Sequence, residues 1–413
     1  MKTKISKRFP ISEKYSSDSI NEVREKKIMS ALRDVSVIGD DLQDKHTPLE
    51  VCEMMLSRLN LKEAKSILVL YNIELIFALK KYKYLGKITF FTSSLKKVEL
   101  VQKMNYNVGI EYIQKDENPI YHLEMNFPDK FDIVLSNPPY SGLDIKFMEK
   151  SLDLAKDHVV FVHPSTLYIN KKDEVIGNAS DLIKSKIESK IKYLSLFNGN
   201  RVFGIAAKYP ISIVHLDMNK TGGDFIFDDK LKKETYSISS LSEISVFGLD
   251  KDFNKFRSHI SNILESGGNL NSISSLSRGV LREGDFFVET SVMAGHEIRK
   301  EDAKCFYKYD FFVLVNSPSM EVKTGFPKKG WIHWRFETNE QAENFLSYIS
   351  SNFVRACLAT VKFNQNLHRG ELKSIPLVDF NQKWDDKKIY NHFKISKDMI
   401  DAIERNILPY YEN

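Results

Sequence analysis

Phe131-Asp132-Ile133-Val134-Leu135-Ser136-Asn137-Pro138-Pro139-Tyr140 is the stretch on which the reading of the whole chain turns. Its first six residues have the near-continuous apolar character of a strand buried on both faces of a parallel sheet. Consecutive prolines cannot donate to a ladder, so the strand must stop where a polar amide and an aromatic ring stand together. An asparagine side-chain oxygen and a proline carbonyl both accept hydrogen bonds, and neither proline has an N–H to compete. Two adjacent acceptors suit a planar NH2 group, which offers two donors. Accepting both protons leaves the nitrogen lone pair less delocalised and aimed outward, towards an electrophile. Tyr140 adds a flat face on which a base can stack. The plain alternative is an exposed strand end closed by a Pro-Pro turn, and the flanking sequence must decide.

On the N-terminal side, strand-like runs at 66–71, 87–91 and 109–114 alternate with helix-like runs at 75–82 and 95–104. On the C-terminal side come a helical pattern at 144–155 and an apolar strand, Val159-Val160-Phe161-Val162. This alternation predicts an α/β fold with a mostly parallel sheet covered on both faces. Ligands of such sheets bind beyond the carboxyl ends of the strands, and Asn137 is at one. Consecutive strand-like runs at 193–197 and 209–216 predict an antiparallel pair completing the sheet. Further upstream, Thr47 is placed to cap and Pro48 to open a helix with Leu49, Val51, Cys52, Met55 and Leu56 on its buried face. A second helical stripe, Val23, Ile28, Met29 and Leu32, lies within 22–34.

Thr221-Gly222-Gly223 and the serine-rich stretch 237–244 punctuate the chain, which places a boundary near 220. Three segments follow: a helical extension over 1–40, a catalytic α/β domain over 41–220, and a mixed α+β domain over 221–413. The last holds a strand, Trp331-Ile332-His333-Trp334-Arg335, a helix over 340–358, and the polar loop Lys362-Phe363-Asn364-Gln365-Asn366-Leu367-His368-Arg369-Gly370. Asparagine and glutamine pair bidentately with adenine and arginine with guanine, so this loop can read a major groove. A solvated surface loop is the alternative.

A chain of 413 residues is too long for one ordinary core, and two or three domains are expected. Hydrophobic content of 42% and a mean hydropathy of -0.33 predict a globular protein that stays in the cytosol, with no apolar run of membrane-spanning length. Cys52, Cys305 and Cys357 are widely separated, with no CxxC, and predict buried thiols with neither a disulfide nor a metal site. A net charge of +5 and a pI near 8.7 permit a polyanionic partner without demonstrating one. There is no P-loop, GxGxxG or internal repeat.

Together these segments resemble the S-adenosylmethionine-dependent N6-adenine DNA methyltransferases of restriction-modification type whose cofactor domain precedes the target-recognition domain. The similarity covers about 45–217 by motif order. It extends more loosely over 370–405, where Ile375-Pro376-Leu377-Val378-Asp379-Phe380 and Trp384-Asp385 look like the tail of that group. Asn137, Pro138, Pro139 and Tyr140 match the family's catalytic tetrad, and Phe161-Val162-His163-Pro164-Ser165 looks like the strand after the catalytic loop. The resemblance implies a Rossmann-like methyltransferase domain with a C-terminal recognition domain, S-adenosylmethionine as cofactor, double-stranded DNA as partner and a cognate restriction endonuclease as a further one. It implies a flipped adenine whose N6 is held by Asn137 and the Pro138 carbonyl, with Tyr140 stacked on the ring and positioning carrying most of the rate.

Thr47 and Pro48 match the family's N-terminal cofactor motif. The cofactor side otherwise departs from the pattern: Ile67-Leu68-Val69-Leu70 runs into Tyr71-Asn72-Ile73-Glu74 with no glycine, and Phe91-Thr92-Ser93 replaces the ribose-holding acid. Either Tyr71, Asn72, Glu74, Thr92 and Ser93 take over these contacts or cofactor binding is weak. Asp116 follows the third strand and is placed to accept from the cofactor's adenine. Phe203 falls where the family often puts a second aromatic against the flipped base; a core phenylalanine is the alternative. Lys362, Asn364, Gln365, Asn366, His368 and Arg369 become the candidate DNA-reading residues. Competing readings are a non-catalytic DNA- or partner-binding protein on the same scaffold, or methylation of RNA adenine or protein glutamine.

Overall fold

The computed structural model describes residues 8–9, 47–104, 106–114, 117–138, 143–169, 178–199, 203, 210–230, 233–245, 247–276, 286–290, 303–305, 314–316, 332–361 and 369–407. The helix expected over 22–34 lies outside them. Among the described residues, ten strands form one sheet: β1 (Arg8–Phe9), β2 (Ser66–Leu70), β3 (Lys87–Thr92), β4 (Val108–Tyr112), β5 (Phe131–Ser136), β6 (Ala155–Pro164), β7 (Ile191–Asn198), β8 (Pro210–Asp217), β9 (Phe225–Asp229) and β10 (Glu234–Ile238). Their order is β1-β4-β3-β2-β5-β6-β8-β7-β9-β10. The run β4-β3-β2-β5-β6 is parallel throughout, and β8 inserts antiparallel to both β6 and β7. The fold is α/β and Rossmann-like, as the alternating pattern predicts.

Alternate residues of the parallel strands feed two cores, which is why these strands read as unbroken apolar runs. Ile67, Val69, Ile133 and Leu135 face a core closed by the helices Leu49–Leu56, Ile73–Lys81 and Leu95–Lys103. Leu68, Leu70 and Val134 face the other, with Leu123 of Pro119–Asn126, Phe147 and Met148 of Asp144–Leu154, and Ile183 of Asn178–Glu188. Strand order reverses at β2: β3 and β4 lie to one side and β5 and β6 to the other. The crevice between the carboxyl ends of β2 and β5 is therefore the topological switch point of the sheet, where such folds bind ligands.

The sheet does not stop at residue 220, because β9 pairs parallel with β7 and β10 antiparallel with β9. Beyond it come the helix Lys251–Ser266, a three-stranded antiparallel sheet of Ser274–Leu276, Ile332–Phe336 and Phe286–Thr290, and the helices Asn339–Ile349, Asn352–Ala359, Asp386–His392 and Lys397–Asn406. The single helix expected over 340–358 is two. Ser351 interrupts it: its side chain accepts from Val354 N at 3.2 Å and caps the second helix, so its own backbone is extended. The helix Lys397–Asn406 is tied back through Asp250, which accepts from Phe253 N at 3.0 Å, Arg405 Nη2 at 2.9 Å and Asn406 Nδ2 at 2.8 Å. Cys52 and Cys357 are buried free thiols. No described helix is long and apolar enough to cross a membrane.

Candidate active site

Three side chains meet at the switch point. Asn137 follows β5, Asn72 follows β2 and precedes the helix Ile73–Lys81, and Thr47 precedes the helix Leu49–Leu56. Asn137 N donates to Asn72 Oδ1, and a backbone N–H can only donate, so the Asn72 amide is fixed with its oxygen towards β5. Its other end then donates: Asn72 Nδ2 reaches Thr47 Oγ1 at 2.8 Å, and Asn137 Nδ2 reaches the same oxygen at 2.9 Å. Thr47 and Asn72 are fully buried and Asn137 is 3% exposed. With its nitrogen donating to Thr47, the Asn137 amide is anchored to the residue pair that leads into another helix.

Thr47 thus has a different task from the one its position before Pro48 suggests. The N-cap of Leu49–Leu56 is Pro48, with no side-chain capping bond, and Val51 N donates to Pro48 O at 2.9 Å. The threonine hydroxyl is spent on the two asparagines instead. Of the tetrad, Asn137 and Pro138 are described, while Pro139 and Tyr140 lie outside the described residues.

The turn after β2 is built without glycine. Tyr71 itself takes the left-handed conformation, at φ 65°, that a glycine would adopt at little cost. Its buried ring packs edge-on against Phe91 at 5.5 Å and Phe147 at 5.4 Å, which holds the strained backbone in place. Next to it, Glu74 is a buried carboxylate in the first turn of Ile73–Lys81, close enough to Cys52 that its charge, after burial, helps push that thiol well above its usual range. At the end of β3, Thr92 Oγ1 accepts from Ser94 N at 3.1 Å, and Ser94 caps Leu95–Lys103. Ser93 is half-buried between them. Lys97, from that helix, donates through Nζ to Tyr71 O at 2.9 Å while itself buried. Sequence reasoning missed this lysine; one of three lysines in an amphipathic helix carries no signal of what lies across the turn from it.

These residues fit the methionine half of S-adenosylmethionine by donor chemistry: Glu74 is a buried acid for its ammonium, and the amide-rich start of Ile73–Lys81 suits its carboxylate. Thr92-Ser93, where the resemblance expects a ribose-holding acid, carries no carboxylate, and the Lys97 ammonium sits on the Tyr71 carbonyl. Asp116 lies outside the described residues. Nearby, His122 Nε2 pairs with buried Glu111 Oε1 at 3.1 Å.

A second pair joins β6 to the helix Asp144–Leu154. His163, near the end of β6, has Nε2 at 2.7 Å from Asp144 Oδ2 and Nδ1 at 2.9 Å from Pro164 O. Asp144 opens the helix that follows the 139–142 segment. The sequence marked His163 only as part of a strand, and no local pattern links it to Asp144.

Phe203 lies against Phe197 of β7, rings stacked with centroids 6.4 Å apart, at the margin of the core. Lys362, Asn364, Gln365, Asn366 and His368 lie outside the described residues. Arg369 is described only in its backbone, at the start of the turn Arg369–Ser374. Trp331 is likewise outside; Trp334 is a buried core residue packed at a tilt against Phe345.

No protein-family profile matches the chain, and no curated protein does. Among solved structures, a type I restriction-modification methyltransferase subunit from Streptococcus thermophilus is similar at 16% identity and a TM-score of 0.34, over 49% of this chain and 48% of that one. The type IIG restriction endonuclease BpuSI is similar at 10% identity and a TM-score of 0.39, over 88% of this chain and 61% of that one. An O-methyltransferase from Bacillus cereus in complex with SAH is similar at 12% identity and a TM-score of 0.33, over 49% of this chain and 92% of that one. The chain spans about half the length of the first of these and 61% of the second, so what those proteins do is not carried over from likeness alone.

Proposed function

We propose that the chain is an S-adenosylmethionine-dependent methyltransferase acting on the N6 amino group of adenine in duplex DNA. The observation that carries this reading is the Thr47–Asn72–Asn137 network at the switch point. It anchors the Asn137 amide through its nitrogen just past the end of a buried strand, and we read its oxygen and the Pro138 carbonyl as the two acceptors for an amino group. A flipped adenine would place both N6 protons on that pair, which weakens conjugation of the nitrogen lone pair with the ring and points it away from the protein's acceptors. Tyr140 would stack on the ring. Glu74 and the start of Ile73–Lys81 would hold the methionine end of the cofactor, which when bound supplies an electrophilic methyl group. No side chain needs to take a proton before attack, because the amine becomes acidic only once methylated. The protein's contribution is orientation and exclusion of water, worth orders of magnitude where the geometry is near attack.

A second reading, a non-catalytic DNA-binding protein on the same scaffold, is favoured by Thr92 and Ser93, which stand where the resemblance expects a ribose-holding acid. One experiment separates them. Purified protein is titrated with S-adenosylmethionine by calorimetry and incubated with labelled cofactor and unmethylated duplex DNA. The enzyme reading expects binding, label as N6-methyladenine, and loss of transfer in Asn137→Ala with the fold retained. Absence of binding at millimolar cofactor sinks it; label in RNA or protein redirects it.

A further inference from the structure

We propose that the groove between the helix Lys251–Ser266 and the turn Arg369–Ser374 holds phosphates of the DNA backbone through Arg257 and Lys251, away from the site of methyl transfer. The proposal rests on duplex DNA being the substrate and names residues that the methyl-transfer site does not use. The groove encloses about 1260 Å3. That exceeds the roughly 300–1,000 Å3 of small-molecule sites, so an extended ligand suits it better than a single ion. Arg257 and Lys251 both line it from the helix. Arg257 is half-buried, and of its five N–H donors one at Nη2 is given to Ser242 O, at 2.7 Å. Among the described residues no carboxylate pairs with it, and burial, opposed by no neighbouring acid, holds its guanidinium below the ordinary range. A cation drawn partly out of water without a counter-charge is costly. A phosphate meeting its fork of donors removes that cost.

The rest of the groove agrees with a polyanionic occupant. Lys251, Lys255, Ser258 and Asn262 stand at i, i+4, i+7 and i+11 of the helix as an exposed stripe with no apolar member, which suits a polar partner. Lys255 is already answered by Asp252 at 2.9 Å, whereas Lys251 makes no ion pair among the described residues. Lys373 adds a cation from the opposite side. Two carboxylates also line the groove, Glu243 and Glu265. Glu243 is held by Ser239 N at 2.9 Å and Ser240 N at 3.2 Å, and Glu265 stands at the far end of the helix from Lys251. On its other face the helix buries Phe253, Phe256 and Ile260 in the core that also holds Leu68 of β2 and Phe147. A strand of DNA seated on the helix is thereby tied to the sheet that carries the switch point.

The test measures binding of a labelled mixed-sequence duplex to the full-length protein between about 50 and 200 mM salt, where each phosphate contact adds about 0.9 to the slope of log affinity against log salt. Arg257→Gln combined with Lys251→Gln should weaken binding by about tenfold or more at the lower salt and flatten the slope by about two. Lys251→Gln alone alters an exposed residue and should flatten it by about one, which keeps the proposal falsifiable if Arg257→Gln does not fold. Lys130→Gln, exposed just before β5, removes the same charge outside the groove and should leave the slope as it is. Slopes unchanged in the groove variants overturn the proposal, as does an equal flattening in Lys130→Gln. So does a groove that takes inorganic phosphate, by calorimetry abolished in these variants, while duplex affinity ignores them. Methyl transfer to DNA with an unchanged slope removes the groove and leaves the methyltransferase reading standing. Duplex binding that depends on both residues in a protein that transfers no methyl group does the reverse.

Discussion

Replacing Thr47 by valine removes one oxygen and changes the side chain's shape hardly at all. That oxygen accepts from Asn72 Nδ2 at 2.8 Å and Asn137 Nδ2 at 2.9 Å. Each buried donor left facing a methyl group costs about 1–3 kcal/mol, so the gross loss is about 2–6 kcal/mol before the amides relax. Relaxation is hindered on the Asn72 side, whose oxygen remains tied to the Asn137 backbone N–H. The Asn137 side chain is the one released, and it is the one proposed to align the target amine. A displacement of about 1 Å at such a group costs on the order of a hundredfold in rate. We therefore expect Thr47→Val to slow single-turnover transfer of labelled methyl by about 10–100-fold, equivalent to about 1.4–2.7 kcal/mol, which lies within the hydrogen-bond loss. Thr47→Ser, which keeps the hydroxyl, should stay within about threefold of the parent. The assay uses saturating cofactor and DNA so that chemistry is read apart from binding. If Thr47→Val transfers as fast as the parent, or Thr47→Ser is as slow as Thr47→Val, the network does not orient Asn137 and the reasoning fails.

Other outcomes follow from the same structure. Tyr71→Gly relieves a left-handed residue, worth about 1–3 kcal/mol, but deletes a ring packed on Phe91 and Phe147, at about 3–5 kcal/mol, so chemical denaturation should show a net loss near 2 kcal/mol. His215, buried against His158 with no hydrogen-bond partner on either ring nitrogen among the described residues, is pushed down to about 3, chiefly by burial and then by His158. A histidine whose folded value is depressed contributes fully above its unfolded value of about 6.5 and loses that contribution as pH falls towards 3. Denaturation midpoints of His215→Leu should accordingly fall less steeply with acid over that window than the parent's. Alanines at Lys362, Asn364, Gln365 and Arg369 should relax DNA selection, read by sequencing of modified bases, without shifting the denaturation midpoint; unchanged selection would place recognition elsewhere.

The parallel sheet was legible because burial on both faces forces unbroken apolar strands, and Ile133-Val134-Leu135 shows this without any neighbour. Asn137 was legible because two prolines can only end such a strand. Contacts that cross the sequence were not. Thr47 and Asn137 are 90 residues apart, so a threonine before a proline carries the local signature of a helix cap while its hydroxyl serves another element. Tyr71 occupies a backbone conformation that propensity reserves for glycine, and the two rings that hold it there come from other parts of the chain. The division of 340–358 was hidden because a Ser-Ser pair is tolerated within a helix as well as between two. Asp144 and His163 pair only because β5 and β6 are neighbours, a fact of topology that neither residue announces.

Since β7, β9 and β10 share one hydrogen-bonded ladder, the backbone leaving the catalytic half remains rung-bound to it as far as Ile238. For protein engineering this relocates the seam. A graft that exchanged the C-terminal half at residue 220 would strip two strands from the sheet and expose the edge of β7, whereas a cut made after Ile238 would carry the complete sheet with the catalytic half. A cut that is to leave the ten-stranded sheet whole therefore belongs beyond β10.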